Sequence, residues 1–172
     1  MVALKNSSVS LPKVFMDIAV DGRPGGRIEL ELRSDVVPKT AESFRALCTG
    51  KEGVGYKGSS FTHVIPRLLA QGGDVALNSR ASEKYNFNKR FEVENFKLKH
   101  RGPGTLSMVN DDSNTSRTKF FITMGETPWL DDKHVVFGRV TGGMDIVKRM
   151  GAYGCRSGNP KIITISNCGE LG

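Results

Sequence analysis

"VFMDIAVDGRPGGRIELELRSDVVPKTAESFRALCTG", residues 14–50, holds two different periods in one stretch. Val14, Met16, Ile18 and Val20 alternate with Phe15, Asp17 and Ala19; Ile28, Leu30 and Leu32 alternate with Arg27, Glu29, Glu31 and Arg33. Strand side chains point to opposite faces in turn, so period-two apolar spacing on both sides of "DGRPGG" predicts a hairpin turning over Asp21–Gly26. The period then changes. Ala41, Phe44, Leu47 and Cys48 form an apolar stripe at helical spacing, with Pro38 suited to the first turn and Gly50 to the end. An amphipathic helix of about three turns is expected there.

Further along, short runs rich in β-formers predict strands at Phe61–Ile65, Leu68–Gln71, Thr105–Val109, Phe120–Thr123, Val135–Val140 and Lys161–Ile165. A second helix is expected in "GGMDIVKRMGAYG", where Ile146, Val147 and Met150 share a side. "GVGYKG", Gly53–Gly58, has the spelling of a dinucleotide fingerprint but follows a helix and leads into a strand, the reverse of what that site needs. Its glycines read as loop glycines. Two long polar stretches, Val75–Lys89 and Asn110–Thr118, separate strands and are of a length usually kept for function or disorder. Many strands and two helices predict a mainly β fold, a closed eight-stranded antiparallel β-barrel capped by two α-helices.

The 172 residues suffice for one domain with a proper core, here expected over 13–172 behind a flexible N-terminal arm, 1–12. No apolar run approaches the ~20 residues of a membrane span, and the leader lacks the apolar core of a secretory signal. The three cysteines, Cys48, Cys155 and Cys168, are odd in number and form no Cys-x-x-Cys pair, so neither a disulfide framework nor a zinc site is expected. Reduced thiols fit a cytoplasmic or nuclear setting rather than a secreted one. The net charge of +7 is spread over small clusters such as Lys97–Arg101 and Lys148-Arg149, so nucleic acid is not expected as the main partner.

No covalent chemistry is announced by spacing: there is no nucleophile elbow and no His-Glu-x-x-His. Three histidines, His63, His100 and His134, leave a metal cluster few ligands. What stands out is apolar residues beside loops: Leu68, Leu69, Phe120, Phe121, Trp129 and Leu130. Most of these belong to a core on the plain reading. Phe120 and Phe121 are adjacent, however, so they face opposite sides of a strand and cannot both fill the interior. One of them should face an outer groove, and Trp129, on an apparent loop, should line a pocket. The residues alone therefore reach an apolar groove for a peptide or an apolar ligand.

At "GYKGSSF", "QGGD", "ENFKLKHRGPGTLSM", "FFIT", "WLDDKHVVFGRV" and "ITISNCGEL", together with the opening stretch, the chain resembles the cyclophilins, the cyclosporin-binding peptidyl-prolyl isomerases, in collinear order from about Lys13 onward. The resemblance implies rotation about Xaa-Pro bonds, with neither cofactor nor metal, in proline-containing peptides or proteins. It implies that Phe121, Leu130 and His134 form the wall and rim of a proline pocket. It assigns Gln71 and Asn110 to substrate hydrogen bonds or to holding an arginine, and Trp129 to the cyclosporin contact.

The departures from the family pattern bear on activity. The family's phenylalanine-histidine-arginine block reads Phe61-Thr62-His63 here, so His63 stands in the place of the arginine whose donor eases rotation. Leu68 and Leu69 replace a phenylalanine and a methionine; Val109 and Asp111 replace groove alanines; Lys119 replaces a glutamine; Arg80-Ala81-Ser82-Glu83 replaces a glycine-rich loop. Free imidazole titrates near about 6.5, is shorter than guanidinium and lacks its fork of donors. The expectation is a cyclophilin of strongly reduced turnover and weak cyclosporin affinity, monomeric and without a membrane role. The alternative is an inactive proline-peptide-binding or assembly subunit using the same groove. A scaffold acting through its basic outer surface is the third reading.

Overall fold

Strands β1 (Lys13–Val20) and β2 (Arg23–Leu32) meet at a turn of two residues in the computed structural model, which describes residues 10–50, 53, 55–73, 94–110, 118–153 and 161–171. Asp21 (φ 50°) and Gly22 (φ 82°) both take left-handed backbone, the requirement of a tight hairpin loop whose twist matches its strands. The turn expected over Asp21–Gly26 is therefore shorter, and Pro24 and Gly25 already belong to β2, next to a register shift between Ile18 and Ala19. The alternation holds: Val14, Met16, Ile18, Ile28, Leu30 and Leu32 are at most 1% exposed.

Helix α1 (Pro38–Thr49) begins at its proline and ends at Gly50, whose φ of 69° lets its N–H reach the Ala46 carbonyl at 2.9 Å. No local side chain caps its start. Glu94 does so from far along the chain, accepting from Lys39 N–H at 3.0 Å and from Thr40 N–H and Oγ1 at 2.9 Å. The stripe of α1 is buried, and Phe44 sits at the centre of an aromatic cluster. Its ring centroid lies 5.1 Å from Tyr56, 5.1 Å from Phe120 and 4.9 Å from Phe137.

The remaining elements are β3 (His63–Ile65), β4 (Leu69–Gly72), β5 (Thr105–Met108), β6 (Phe120–Thr123), a 3₁₀ turn (Pro128–Leu130), β7 (Val135–Gly142), α2 (Met144–Ala152) and β8 (Ile163–Leu171). All ladders are antiparallel, and the sheet order is β3-β4-β6-β5-β7-β2-β1-β8. Helix α1 packs on β8, β1 and β7; α2 packs on β2, β3 and β4.

The closed barrel expected from the sequence is corrected here to a curled half-barrel, because β3 and β8 remain the two edges of the sheet. β3 is only three residues long and spends its pairing on β4. Between it and β8 stands a single bridge, Ser60 with Thr164, flanked by Phe61 N–H to Ile163 O and Ile165 N–H to Ser59 O, each 2.8 Å. β8 in turn outruns the expected Lys161–Ile165, since β1 offers it partners from Val20 back to Lys13. Of the expected arm, residues 1–9 lie outside the described residues, as do 75–89 and 111–117 of the two polar stretches.

Among the described residues three non-glycine positions take left-handed backbone, Asp21, Arg67 and Asp132. Between β3 and β4, Arg67 takes φ 67° in the turn Ile65-Pro66-Arg67-Leu68, closed by Leu68 N–H to Ile65 O at 3.0 Å. Proline followed by a positive φ is the pattern of a turn that wants glycine third. Arg67→Gly should stabilise the fold by roughly 0.5–1 kcal/mol, the left-handed penalty less glycine's extra entropy, as read by urea denaturation.

Candidate functional site

Cross-strand register builds the candidate site as a row. His63 on β3 lies opposite Gln71 on β4, Gln71 opposite Phe121 on β6, and Phe121 opposite Ser107 on β5. Directly opposed residues share a face. The next row, Val64, Ala70, Ile122 and Leu106, is buried on the core face, so the His63 row faces the other way. Phe120 and Phe121 divide as strand alternation requires. Phe120 joins the core cluster, with Tyr56 at 5.1 Å and Phe61 at 5.8 Å between centroids. Phe121 takes the outer face.

That outer ring is nevertheless only 2% exposed, because two histidines hold it. His100 stacks on it at 5.8 Å and 11°, and His134 meets it edge-on at 5.4 Å and 89°. His134 Nδ1 accepts the Asn110 backbone N–H at 3.0 Å, which puts the ring proton on Nε2. Asn110 also donates from Nδ2 to Lys133 O at 3.0 Å. His134 N–H bonds to Leu130 O at 3.2 Å, so Leu130, His134, Asn110 and Phe121 form one connected wall.

The other expected residues are placed less uniformly. Leu69 lies on the outward face between Ile65 and Thr123, and Leu68 sits in the preceding turn; both are half-buried. Val109 and Lys119 meet through Val109 N–H to Lys119 O at 2.9 Å. Trp129, expected to line a pocket, is 58% exposed on the 3₁₀ turn. Asp111 and the stretch Arg80-Ala81-Ser82-Glu83 lie outside the described residues. His63 is exposed, with Nδ1 3.2 Å from Thr62 Oγ1. Among the described residues no group of three or more His, Cys, Asp or Glu side chains could hold a metal ion.

The model of the family "Cyclophilin type peptidyl-prolyl cis-trans isomerase/CLD" matches residues 15–170. The chain belongs to the cyclophilins. The family binds proline-containing peptides, and the outward row with its wall is the surface on which its resemblance places them.

Beneath the wall of this cyclophilin lies a network that sequence reading missed. Asp131 Oδ1 accepts from His100 N–H at 2.7 Å and lies 2.8 Å from His100 Nδ1, while His100 Nε2 lies 2.9 Å from Ser107 Oγ. The three have the spacing of a serine nucleophile, a base and its orienting carboxylate. They do not act as one. Ser107 is fully buried and His100 2% exposed, so no substrate reaches the hydroxyl. No sequence spacing links positions 100, 107 and 131, and only the fold brings them together.

The His100 backbone N–H, chief among several donors, holds the Asp131 carboxyl below its usual range. Burial lowers His100 and outweighs the pull of Asp131 in the other direction. The ring is accordingly neutral, with Nδ1–H donating to Asp131 and Nε2 accepting from Ser107. A depressed folded-state pKa means that the unfolded chain takes up the proton first, so stability is whole above about 6.5 and is lost as pH falls below it. Urea midpoints measured downward from about pH 7 should show this loss, and His100→Phe should lessen the slope by up to one proton.

Proposed function

We propose that this cyclophilin is a peptidyl-prolyl cis-trans isomerase of strongly reduced turnover, acting on Xaa-Pro bonds with His63 in the place of the family's arginine. Rotation must break amide resonance, a barrier of about 18–20 kcal/mol. In the twisted state the proline nitrogen becomes pyramidal and basic, and a donor aimed at it stabilises that state over either planar one. Phe121, Leu130 and His134 grip the ring; Gln71 and Asn110 hold the flanking backbone.

The row His63–Gln71–Phe121 carries the reading. Its inner end, Phe121, is buried and clamped between two imidazoles, while its outer end is an exposed imidazole hydrogen-bonded to its neighbour's hydroxyl. Losing a preorganised charged donor typically costs about 3–4 kcal/mol, or roughly 10²–10³ in rate. The same contrast favours a second reading, an inactive proline-peptide binder or assembly subunit: the wall that binds is intact and the donor that turns over is replaced. Either way we expect weak cyclosporin affinity, a monomer, and a cytoplasmic or nuclear setting. Burial pushes the Cys168 thiol to about 11 and Cys48 well upward, which suits thiols that stay reduced and inert.

Exchange NMR on an Ala-Pro peptide separates the two readings, since catalysis broadens the cis and trans lines and binding alone shifts them. His63→Arg should raise the exchange rate at least about tenfold if the missing guanidinium is the main defect. No gain would leave Leu68 and Leu69 as the dominant change.

A further inference from the structure

Between the β1–β2 hairpin and α2 lies a cavity of about 570 Å³, within the size range of ligand sites, and it shares no residue with the proline wall. A Cβ on Gly26 would collide with Ile146 Cδ1, so the absence of one lets the hairpin lie close against the helix. The floor is aliphatic, made by the half-buried Val20 and by Ile146, with Ile18 and Met150 lining it but almost fully buried. The rim is basic, made by Arg23, Arg149 and Lys161.

The rim cations are poorly neutralised. Asp21, the one lining carboxylate among the described residues, is engaged: its Oδ1 accepts Ile162 N–H at 2.8 Å and its Oδ2 lies 3.6 Å from Lys161 Nζ. Arg149 reaches Asp145 only at 3.7 Å, with side chains 63% and 70% exposed. Arg23 has no ion pair among the described residues. Beside the rim, Ile162 is 66% exposed, an aliphatic side chain held out by its two backbone bonds with Asp21.

We propose that this groove docks an acidic, aliphatic segment of a partner protein, its carboxylates on Arg23, Arg149 and Lys161 and an aliphatic side chain on the floor between Val20 and Ile146. Charge complementarity selects the acid, and the floor with Ile162 selects the aliphatic residue. A nucleic acid would meet three cations but an aliphatic floor, and the face of Tyr153, the aromatic that lines the groove, already carries Lys161 Nζ at 5.8 Å from its centroid.

The test titrates the full chain with a short, proline-free, fluorescein-labelled peptide of alternating Glu and Leu, read by anisotropy and by amide NMR. Saturable binding is expected, with shifts at Arg23, Ile146 and Lys161 and none at Gln71 or Phe121. Replacing each Glu of the peptide by Gln, or making Arg23→Glu with Arg149→Glu, should weaken it by at least about tenfold. Both arginines are exposed, and matching thermal midpoints confirm folding; Lys161→Glu serves as a second variant. The proposal is overturned by no saturable binding, by unchanged affinity after charge reversal, by shifts centred on Phe121, or by an oligouridylate that competes at equal charge.

Discussion

Two neighbouring phenylalanines on β6 cannot look the same way, and the molecule is organised around that constraint. Phe120 packs edge-on to Phe44 at 90°, in a cluster that also takes in Tyr56, Phe61 and Phe137. With that ring committed to the core, the next has no freedom of side. β6 is held between β4 and β5, so the outward position of Phe121 is inherited from the packing of Phe120. The wall around Phe121 is thus the reverse side of the core. Its precision comes from interior packing, which tolerates little displacement.

From Phe121 the row runs outward towards solvent. Gln71 is half-buried and His63 exposed, so burial declines along the same line on which the chemistry of rotation would be performed. Binding asks mainly for a shaped apolar surface, which persists here. Acceleration asks for a donor whose position and charge are set before the substrate arrives. The Ser107–His100–Asp131 array shows the converse: well-aligned polar groups, with the hydroxyl and the imidazole buried, which serve to seat a ring rather than to attack a substrate.

The hairpin, α1 and α2 were legible because each advertises a period over many residues, and the split of Phe120 from Phe121 followed from alternation alone. The extent of β8 was not legible, since Ser166-Asn167-Cys168-Gly169 carries little β preference and is drawn into the sheet by β1. Closure failed as an expectation for a related reason: it depends on how a three-residue strand meets a partner far along the chain. Within the site, chemistry by spacing reached only an apolar groove. The identity of His63 as a replacement came from the resemblance, and the burial of His100 from the fold. Trp129 stands 58% exposed, a loop indole that the described residues cover only in part.

The clasp that Glu94 places on the start of α1 sets an order of events during synthesis. Two helix amides, those of Lys39 and Thr40, stay wet until a carboxylate more than fifty positions later has left the ribosome. β1 waits longer still, for its outer neighbour ends at Leu171. An emerging chain therefore holds β1 half unpaired until β8 has been made. Such non-local pairing slows folding and exposes apolar edges meanwhile. The longest exposed interval thus falls on the apolar edge of β1.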